Sequence, residues 1–191
     1  MKVIAGKAKG RNLIAPEGFD TRPIMAKMKE ALFSSWQFRL IDSSFLDLFA
    51  GSGSMGIEAY SPGASKVVFV EKSKKAIDVI KTNLKNCNFK DGCIVYQDDV
   101  FERVKQLQAN QEKFDIIYMD PPFTVDEIFD PVLECVACAE ILDEDGILSI
   151  RTRKGRTLAD EVGRMYKFKE KTYGQSTIQF YQYYALEEDE Q

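Results

Sequence analysis

An acid, two prolines and an aromatic residue end one of the most apolar stretches of the chain. Residues 114–123 read FDIIYMDPPF, so a strand-like run leads directly into Asp120, Pro121, Pro122 and Phe123. Proline has a fixed φ and no backbone N–H, and it restricts the residue before it. The segment is therefore stiff, and it presents a carboxylate, backbone carbonyls and a ring in one arrangement. These four residues are the candidate catalytic group.

A glycine-rich turn supplies a second candidate site. Gly51, Gly53 and Gly56 in DLFAGSGSMG have the spacing G-x-G-x-x-G, and Glu71 ends the next strand-like run about twenty residues later. Glycines let the backbone approach a ligand closely, and an acid at the end of a second strand can bind ribose hydroxyls. Both features fit any adenosine-containing ligand, so they do not separate NAD from S-adenosylmethionine.

Three further acids favour S-adenosylmethionine over NAD. Asp47 stands before the glycines, where it would repel a pyrophosphate but could meet a cationic amino-acid group. Asp98 and Asp99 follow the third strand-like run, where an adenine amine could be recognised. In a doubly wound sheet all of these motifs lie at the carboxyl edge, which is where ligands bind.

The elements that position these motifs alternate along the chain. Strand-like runs read FLDLF, KVVFV, CIVYQ, FDIIYM and GILSI, with helix-like stretches such as KKAIDVIKTNLKN and DEIFDPVLECVACAEIL between them. This alternation predicts an α/β fold, with a parallel sheet covered by helices on both faces. Two strand-like runs around Gly174 predict an antiparallel pair that closes the sheet. The predicted organisation has three parts. Residues 1–40 form an N-terminal extension of a hairpin and a helix, residues 41–186 form the main domain, and residues 187–191 form an acidic tail.

Composition narrows the possible chemistry and location. The chain of 191 residues has no histidine, which removes the Ser-His and Cys-His nucleophile pairs. Its C-x-x-C, Cys135 to Cys138, lies in a helix-like stretch, so we interpret the cysteines as buried free thiols and expect no metal. No apolar run approaches the ~20 residues of a membrane span, and the first residues lack a secretory signal. We therefore expect a cytoplasmic protein that does not bind a membrane.

The net charge of −4 conceals two basic segments. Residues 1–39 and 151–173 each hold eight Lys or Arg against three Asp or Glu, whereas residues 40–150 hold ten against twenty. Two such segments make a polyanion partner plausible, since a local basic face matters more than total charge. The candidate residues for contacts with such a polyanion are Lys7, Lys9, Arg11, Arg22, Arg151, Arg153, Lys154 and Arg156.

The motifs together resemble a known enzyme family. DLFAGSGSMGIEA, VVFVEK, the Asp99-Val-Phe segment and DPPF are similar to class I S-adenosylmethionine-dependent methyltransferases. GKAKGRNL, DTRP, KEALF and YGQSTIQFY narrow the resemblance to the bacterial enzymes that methylate the N2 amine of a guanine in small-subunit (16S) ribosomal RNA. This resemblance covers nearly the whole chain.

The resemblance implies a Rossmann-like, mostly parallel seven-stranded sheet with an antiparallel last strand, and Asp120 to Phe123 at the target base. The implied cofactor is S-adenosylmethionine, and the implied partner is ribosomal RNA or the small ribosomal subunit, bound by a monomer. The candidate cofactor-binding residues are Asp47, Phe49, Ala50, Gly51, Ser52, Gly53, Glu71, Lys72, Asp99 and Val100.

Three alternatives remain open at this point. The DPPF chemistry also serves methyltransferases that act on amino groups of DNA or protein. The glycine loop also fits a nicotinamide-dependent oxidoreductase, and the basic segments fit an RNA-binding module without catalysis.

Overall fold

The computed structural model describes residues 1–16 and 26–185, and its centre is an eight-stranded sheet. The strands are β1 (Ser44–Leu48), β2 (Lys66–Glu71), β3 (Cys93–Gln97), β4 (Phe114–Met119), β5 (Leu142–Arg153), β6 (Glu161–Val162), β7 (Met165–Tyr173) and β8 (Ser176–Tyr183). Their order is β3-β2-β1-β4-β5-β8-β7-β6. Strands β1 to β5 are parallel, and β8, β7 and β6 continue the sheet in antiparallel pairs.

Helices cover both faces of this sheet, which confirms the predicted α/β fold class. They are α1 (Ala26–Trp36), α2 (Ser54–Tyr60), α3 (Lys74–Asn86), α4 (Val100–Ala109) and α5 (Phe129–Ala139), with a 3₁₀ turn over Asp126–Ile128. The first apolar cluster joins α1, α2 and α3 to one face, and the second joins α4 and α5 to the other. Burial on both faces explains why the central strands β1, β2 and β4 are almost continuously apolar in sequence.

Two details differ from the sequence-based expectation. The sheet has eight strands rather than seven, because residues 161–162 turn back through Gly163 and pair with the start of β7. Helix α5 ends at Ala139 rather than continuing to Leu142, since Glu140 adopts a left-handed φ of 48° and β5 begins at Leu142.

The N-terminal residues pack against the same core as the sheet. Lys2 and Asn12 form an antiparallel bridge, and Val3, Ala8 and Leu13 are buried in the first apolar cluster. The apolar stripe of α1 is buried as predicted, at Met28, Leu32, Phe33 and Trp36. Arg22, Met25 and the predicted acidic tail lie outside the described residues.

The four cysteines are free thiols, as expected, but they are not all buried. Only Cys87 is buried, and Cys138 is exposed on α5 rather than facing the core.

Over residues 1–16 and 26–185, the helices are too short or too polar to cross a membrane.

Candidate active site at the carboxyl edge of the sheet

Three predicted acids project from the same face of the sheet. Side chains alternate along a strand, so residues two apart share a face. Asp47, Glu71 and Asp120 each come two residues after an aromatic side chain of the first apolar cluster: Phe45, Phe69 and Tyr118. Strands β2, β1 and β4 are neighbours, so the three acids meet at one edge.

The glycine loop leaves open space at this edge. Gly51 has a φ of 55°, and a Cβ placed on it would have no heavy atom within 4 Å. Gly56 has the opposite environment, because a Cβ there would lie 2.3 Å from the ring of Phe69. The first glycine therefore opens the loop to a ligand, and the later one lets α2 pack closely on β2. Ala50 anchors the loop by donating to the carbonyl of Val70 at 3.1 Å.

Asp47 lies beneath the loop and is almost inaccessible, at 1% exposure. Its Oδ2 accepts the backbone N–H of Gly56 at 3.0 Å. Burial raises the pKa of this carboxyl well above its usual value, the Gly56 hydrogen bond lowers it, and the charges of Asp120 and Glu71 raise it further. A cation bound here would relieve this repulsion, so the edge suits a ligand that carries positive charge.

Glu71 closes the other side of the loop. Its two carboxylate oxygens accept the N–H groups of Gly51 at 2.9 Å and Ser73 at 2.8 Å. These contacts fix the side chain at the end of β2, where the predicted ribose would lie. Lys72 points away to solvent and pairs with Asp99 at 3.3 Å.

Asp99 begins helix α4. Its Oδ1 accepts the N–H of Phe101 at 3.0 Å, which caps the helix as an aspartate does in this position. Val100 is buried in the second apolar cluster directly behind it. The three strand ends that carry Asp47, Glu71 and Asp99 thus line one continuous edge.

The neighbouring acid, Asp98, has a partner that sequence reasoning missed. Arg103 donates to Asp98 at 2.6 Å, and its guanidinium lies 3.6 Å from the centre of the Tyr96 ring. The pair spans five positions, from the turn after β3 into α4, so neither helical nor strand periodicity could have indicated it.

The DPPF segment stands beside the glycine loop. The N–H of Asp120 donates to the carbonyl of Leu48 at 3.3 Å, which ties the segment to the end of β1. The carbonyl of Pro122 accepts the N–H of Val125 at 3.1 Å. Phe123 packs partly against the second apolar cluster, with its ring centre 6.2 Å from that of Phe129.

Arg151 belongs to this site rather than to a basic surface. We expected it to be an RNA contact, but its side chain is 4% exposed. Its Nη1 donates to Oδ2 of Asp120 at 3.0 Å. In the parallel register, Met119 pairs with Ile150, so Asp120, which follows β4, and Arg151 of β5 are neighbours.

The other predicted basic residues separate into two groups. Arg153 and Lys154 are exposed at the carboxyl edge, and Arg153 donates to the carbonyl of Phe123. Arg156 is engaged by Asp130 at 2.6 Å and Asp126 at 3.5 Å.

Lys7, Lys9 and Arg11 are exposed, but they lie elsewhere. Lys7 donates its N–H to the carbonyl of Ser61, just past the end of α2 and roughly 10 Å along that helix from the glycine loop. The hairpin tip therefore lies away from the carboxyl edge at which Arg153 and Lys154 are exposed.

The N-terminal segment reaches the glycine loop through one buried amide that sequence reasoning missed. Asn83 of α3 is 0% exposed, and its side chain both accepts from and donates to the backbone of Ile14, at 2.8 and 2.9 Å. The same Nδ2 donates to the carbonyl of Ser52 at 2.9 Å. Asn83 therefore links the glycine loop to the segment that precedes α1.

A buried ion pair holds the same segment at a second point. Glu58 of α2 accepts the N–H groups of Ile4 at 2.7 Å and Ala5 at 3.0 Å, and it pairs with Lys29 of α1 at 2.6 Å. Lys29 also donates to the carbonyl of Lys2 at 2.9 Å.

Comparisons with known proteins show the family to which this chain belongs. The family model described as Conserved hypothetical protein 95 matches residues 1–182. The chain is 35% identical over 182 residues to the Bacillus subtilis protein named "Putative rRNA methyltransferase YlbH", covering 95% of this chain and 98% of that one. It is 32% identical over 184 residues to "Ribosomal RNA small subunit methyltransferase D" of Haemophilus influenzae, covering 95% and 93%.

A solved structure has the same fold. The crystal structure of a protein described as a putative methylase from Haemophilus influenzae superimposes with a TM-score of 0.79 at 29% identity, covering 96% of this chain and 98% of that one.

Proposed function

This chain belongs to the Conserved hypothetical protein 95 family, and we propose that it transfers a methyl group from S-adenosylmethionine to the exocyclic N2 amine of a guanine in small-subunit (16S) ribosomal RNA. One observation carries the proposal: the Asp120 carboxylate stands at the same sheet edge as an open glycine loop. The names of the two relatives, an rRNA methyltransferase and a small-subunit rRNA methyltransferase, support the class of substrate.

The residues at this edge fit the proposed cofactor. Open space over Gly51 accommodates the ligand, Glu71 faces the ribose, and Asp47 favours the cationic amino-acid end. Asp99 at the start of α4 is positioned for the adenine side. When bound, S-adenosylmethionine supplies an activated methyl group, so the remaining work of the protein is orientation.

Asp120 performs the orientation of the target amine. An exocyclic guanine amine is a poor nucleophile because its lone pair is delocalised into the ring. Holding its hydrogens with the Asp120 carboxylate and the carbonyl of Pro121 turns the nitrogen lone pair out of that conjugation. The carboxylate also stabilises the positive charge that develops on nitrogen.

Phe123 and the nearby cations bind the guanine base and the phosphates that flank it. The Phe123 ring stacks on a guanine that is flipped out of its base stack. Aromatic side chains commonly bind unpaired RNA bases in this way. The exposed Arg153 and Lys154 meet the flanking phosphates at the same edge. This substrate implies a reaction in the cytoplasm.

Transfer of radiolabelled methyl groups tests the proposal. In separate reactions, the protein and labelled S-adenosylmethionine are incubated with 16S RNA, small subunits, DNA or protein. Each substrate comes from cells that lack this methyltransferase candidate. The expected product is N2-methylguanosine in 16S RNA after nuclease digestion. Label in DNA or protein, or in another ribosomal nucleoside, would reject the assigned substrate. Binding of NAD without binding of S-adenosylmethionine would reject the reaction itself.

A further inference from the structure

The guanidinium of Arg151 contacts both functional groups of the DPPF segment. Its Nη1 lies 3.0 Å from Oδ2 of Asp120, and its central carbon lies 5.1 Å from the centre of the Phe123 ring. The Nε donates to Oγ of Ser176 on β8 at 3.2 Å. The side chain is thus held between the strand that precedes the candidate active site and the antiparallel part of the sheet.

We propose that Arg151 is a positioning residue for methyl transfer, which holds Oδ2 of Asp120 and the ring of Phe123 in one arrangement so that Oδ1 of Asp120 meets the target amine. This inference rests on the proposed function and extends it by assigning a residue of β5 to the site.

The chemistry of the arginine side chain suits this role. A planar guanidinium donates several hydrogen bonds in fixed directions and can lie against an aromatic face at the same time. A lysine ammonium at this position would keep the charge but would lack the fork that joins Asp120 to Ser176. Since Arg151 is itself 4% exposed, its position is set by the protein rather than by solvent.

The electrostatic surroundings of Asp120 give the proposal a readout. Burial raises the pKa of Asp120, whereas Arg151 from β5 and Tyr118 from its own strand lower it. Asp47 from β1 is the neighbouring acid, and each of the two carboxylates disfavours the other's charge. Removing Arg151 leaves desolvation less opposed, so the pKa of Asp120 must rise further.

The sign of the effect on activity follows directly. Asp120 has to be deprotonated to accept a hydrogen from the amine. Transfer is therefore present above the pKa of Asp120 and is lost as pH falls through it. A raised pKa moves this acid limb to higher pH.

The test compares Arg151→Met, which nearly keeps the length of the side chain but removes its charge, with Arg151→Lys, which keeps the charge alone. Arg164→Met is the matched control, because Arg164 pairs with Glu140 and Glu144 at the opposite edge of the sheet. Asp120 is titrated by carboxyl ¹³C NMR, assigned with Asp120→Asn, and single-turnover transfer is measured across pH.

For Arg151→Met we expect the pKa of Asp120 and the acid limb to rise together by about one unit or more. The plateau rate should fall by about tenfold or more, because the carboxylate loses its fixed orientation. Arg151→Lys should restore the titration but not the plateau rate. The control should match the wild type in both measurements.

Two results would overturn the proposal. One is an Arg151→Met protein in which both the acid dissociation constant of Asp120 and the plateau rate of transfer stay within about twofold of the wild-type values. The other, which decides the matter even where the methionine variant does not fold, is full activity of Arg151→Lys, since charge alone would then suffice. The NMR titration needs no RNA. If the wild-type protein methylates no RNA, the proposed function is rejected. The NMR titration would still measure the contact between Arg151 and Asp120.

Discussion

Glu71 has a structural role as well as a proposed one at the ribose. Its oxygens accept the N–H groups of Gly51 and Ser73, so the side chain shapes the loop before any ligand arrives. Because of these two backbone contacts, we expect a change at Glu71 to affect stability as well as affinity.

Glu71→Ala should lower the affinity for S-adenosylmethionine by at least about tenfold, since charge-assisted hydrogen bonds are each worth about 1.5–3 kcal/mol. It should also lower the free energy of unfolding of the apo protein by about 1–3 kcal/mol, because two N–H groups lose their acceptor. Calorimetry and chemical denaturation measure the two effects. Glu71→Gln is the control, since it keeps one acceptor oxygen. Unchanged affinity in the alanine variant would mean that the ribose does not lie at the end of β2.

Asp120→Ala should abolish methyl transfer and leave the affinity for S-adenosylmethionine within a few fold. The reason is that we propose Asp120 for the target amine, and Glu71 and Asp99 for the cofactor. A transfer assay and calorimetry on the same preparation separate the two effects. Asp120→Asn keeps the shape of the side chain, so it should bind the cofactor normally and also fail in transfer. Substantial turnover by either variant would contradict the assigned role.

At the scale of elements, sequence patterns predicted what is local and missed what depends on register. The DPPF segment and the glycine loop could be placed at strand ends because each strand is a short apolar run. The contact between Asp120 and Arg151 could not be predicted in this way. It depends on how β4 pairs with β5, and that register shifts between Phe114 and Ile116. A shift of one residue would have turned Arg151 to the other face.

The short strand β6 was not predicted from the sequence for a related reason. A two-residue strand carries no periodic signal, and the pairing of residues 161–162 depends on the turn at Gly163. Asn83 was missed because one buried amide in an amphipathic helix resembles any other polar position. Only the path of the N-terminal segment reveals its partners.

Helix α3 gives a prediction at this scale. Asn83→Ala removes the hydrogen bonds to Ile14 and Ser52, so it should release the N-terminal segment and loosen the glycine loop together. We expect faster hydrogen exchange at the Ile14 N–H and an affinity for S-adenosylmethionine lower by about threefold or more. Asn86→Ala is the control, because Asn86 is exposed on the same helix. Faster exchange with unchanged affinity would show that the loop does not depend on this amide.

For the whole molecule, the distribution of charge matters more than its sum. The exposed cations Arg153 and Lys154 lie at the carboxyl edge, whereas Lys7 lies past the far end of α2. RNA that reaches Asp120 must therefore meet the first group, and it meets the second only if it extends along the side of the molecule.

Neutralising Arg153 and Lys154 to Gln should weaken RNA binding and reduce the slope of log affinity against log salt by about 0.7 to 0.9 for each lost phosphate contact. Neutralising Lys7 and Lys9 should have a smaller effect on both quantities. Affinity for S-adenosylmethionine should stay unchanged in both variants. Filter binding across a salt series measures the slopes. A wild-type slope in the first variant would mean that residues 153–154 are solvated surface only.

The attachment of the N-terminal segment also determines an order of events during synthesis. Ile4 and Ile14 contact Glu58 and Asn83, which lie 54 and 69 residues further along the chain. At about 5–20 residues per second, Ile14 leaves the ribosome roughly 3–14 seconds before its partner does. During that interval Val3, Ala8 and Leu13 have no core to enter. We expect Lys7, Lys9 and Arg11, which lie between these apolar residues, to keep the nascent segment in solution until α3 has emerged.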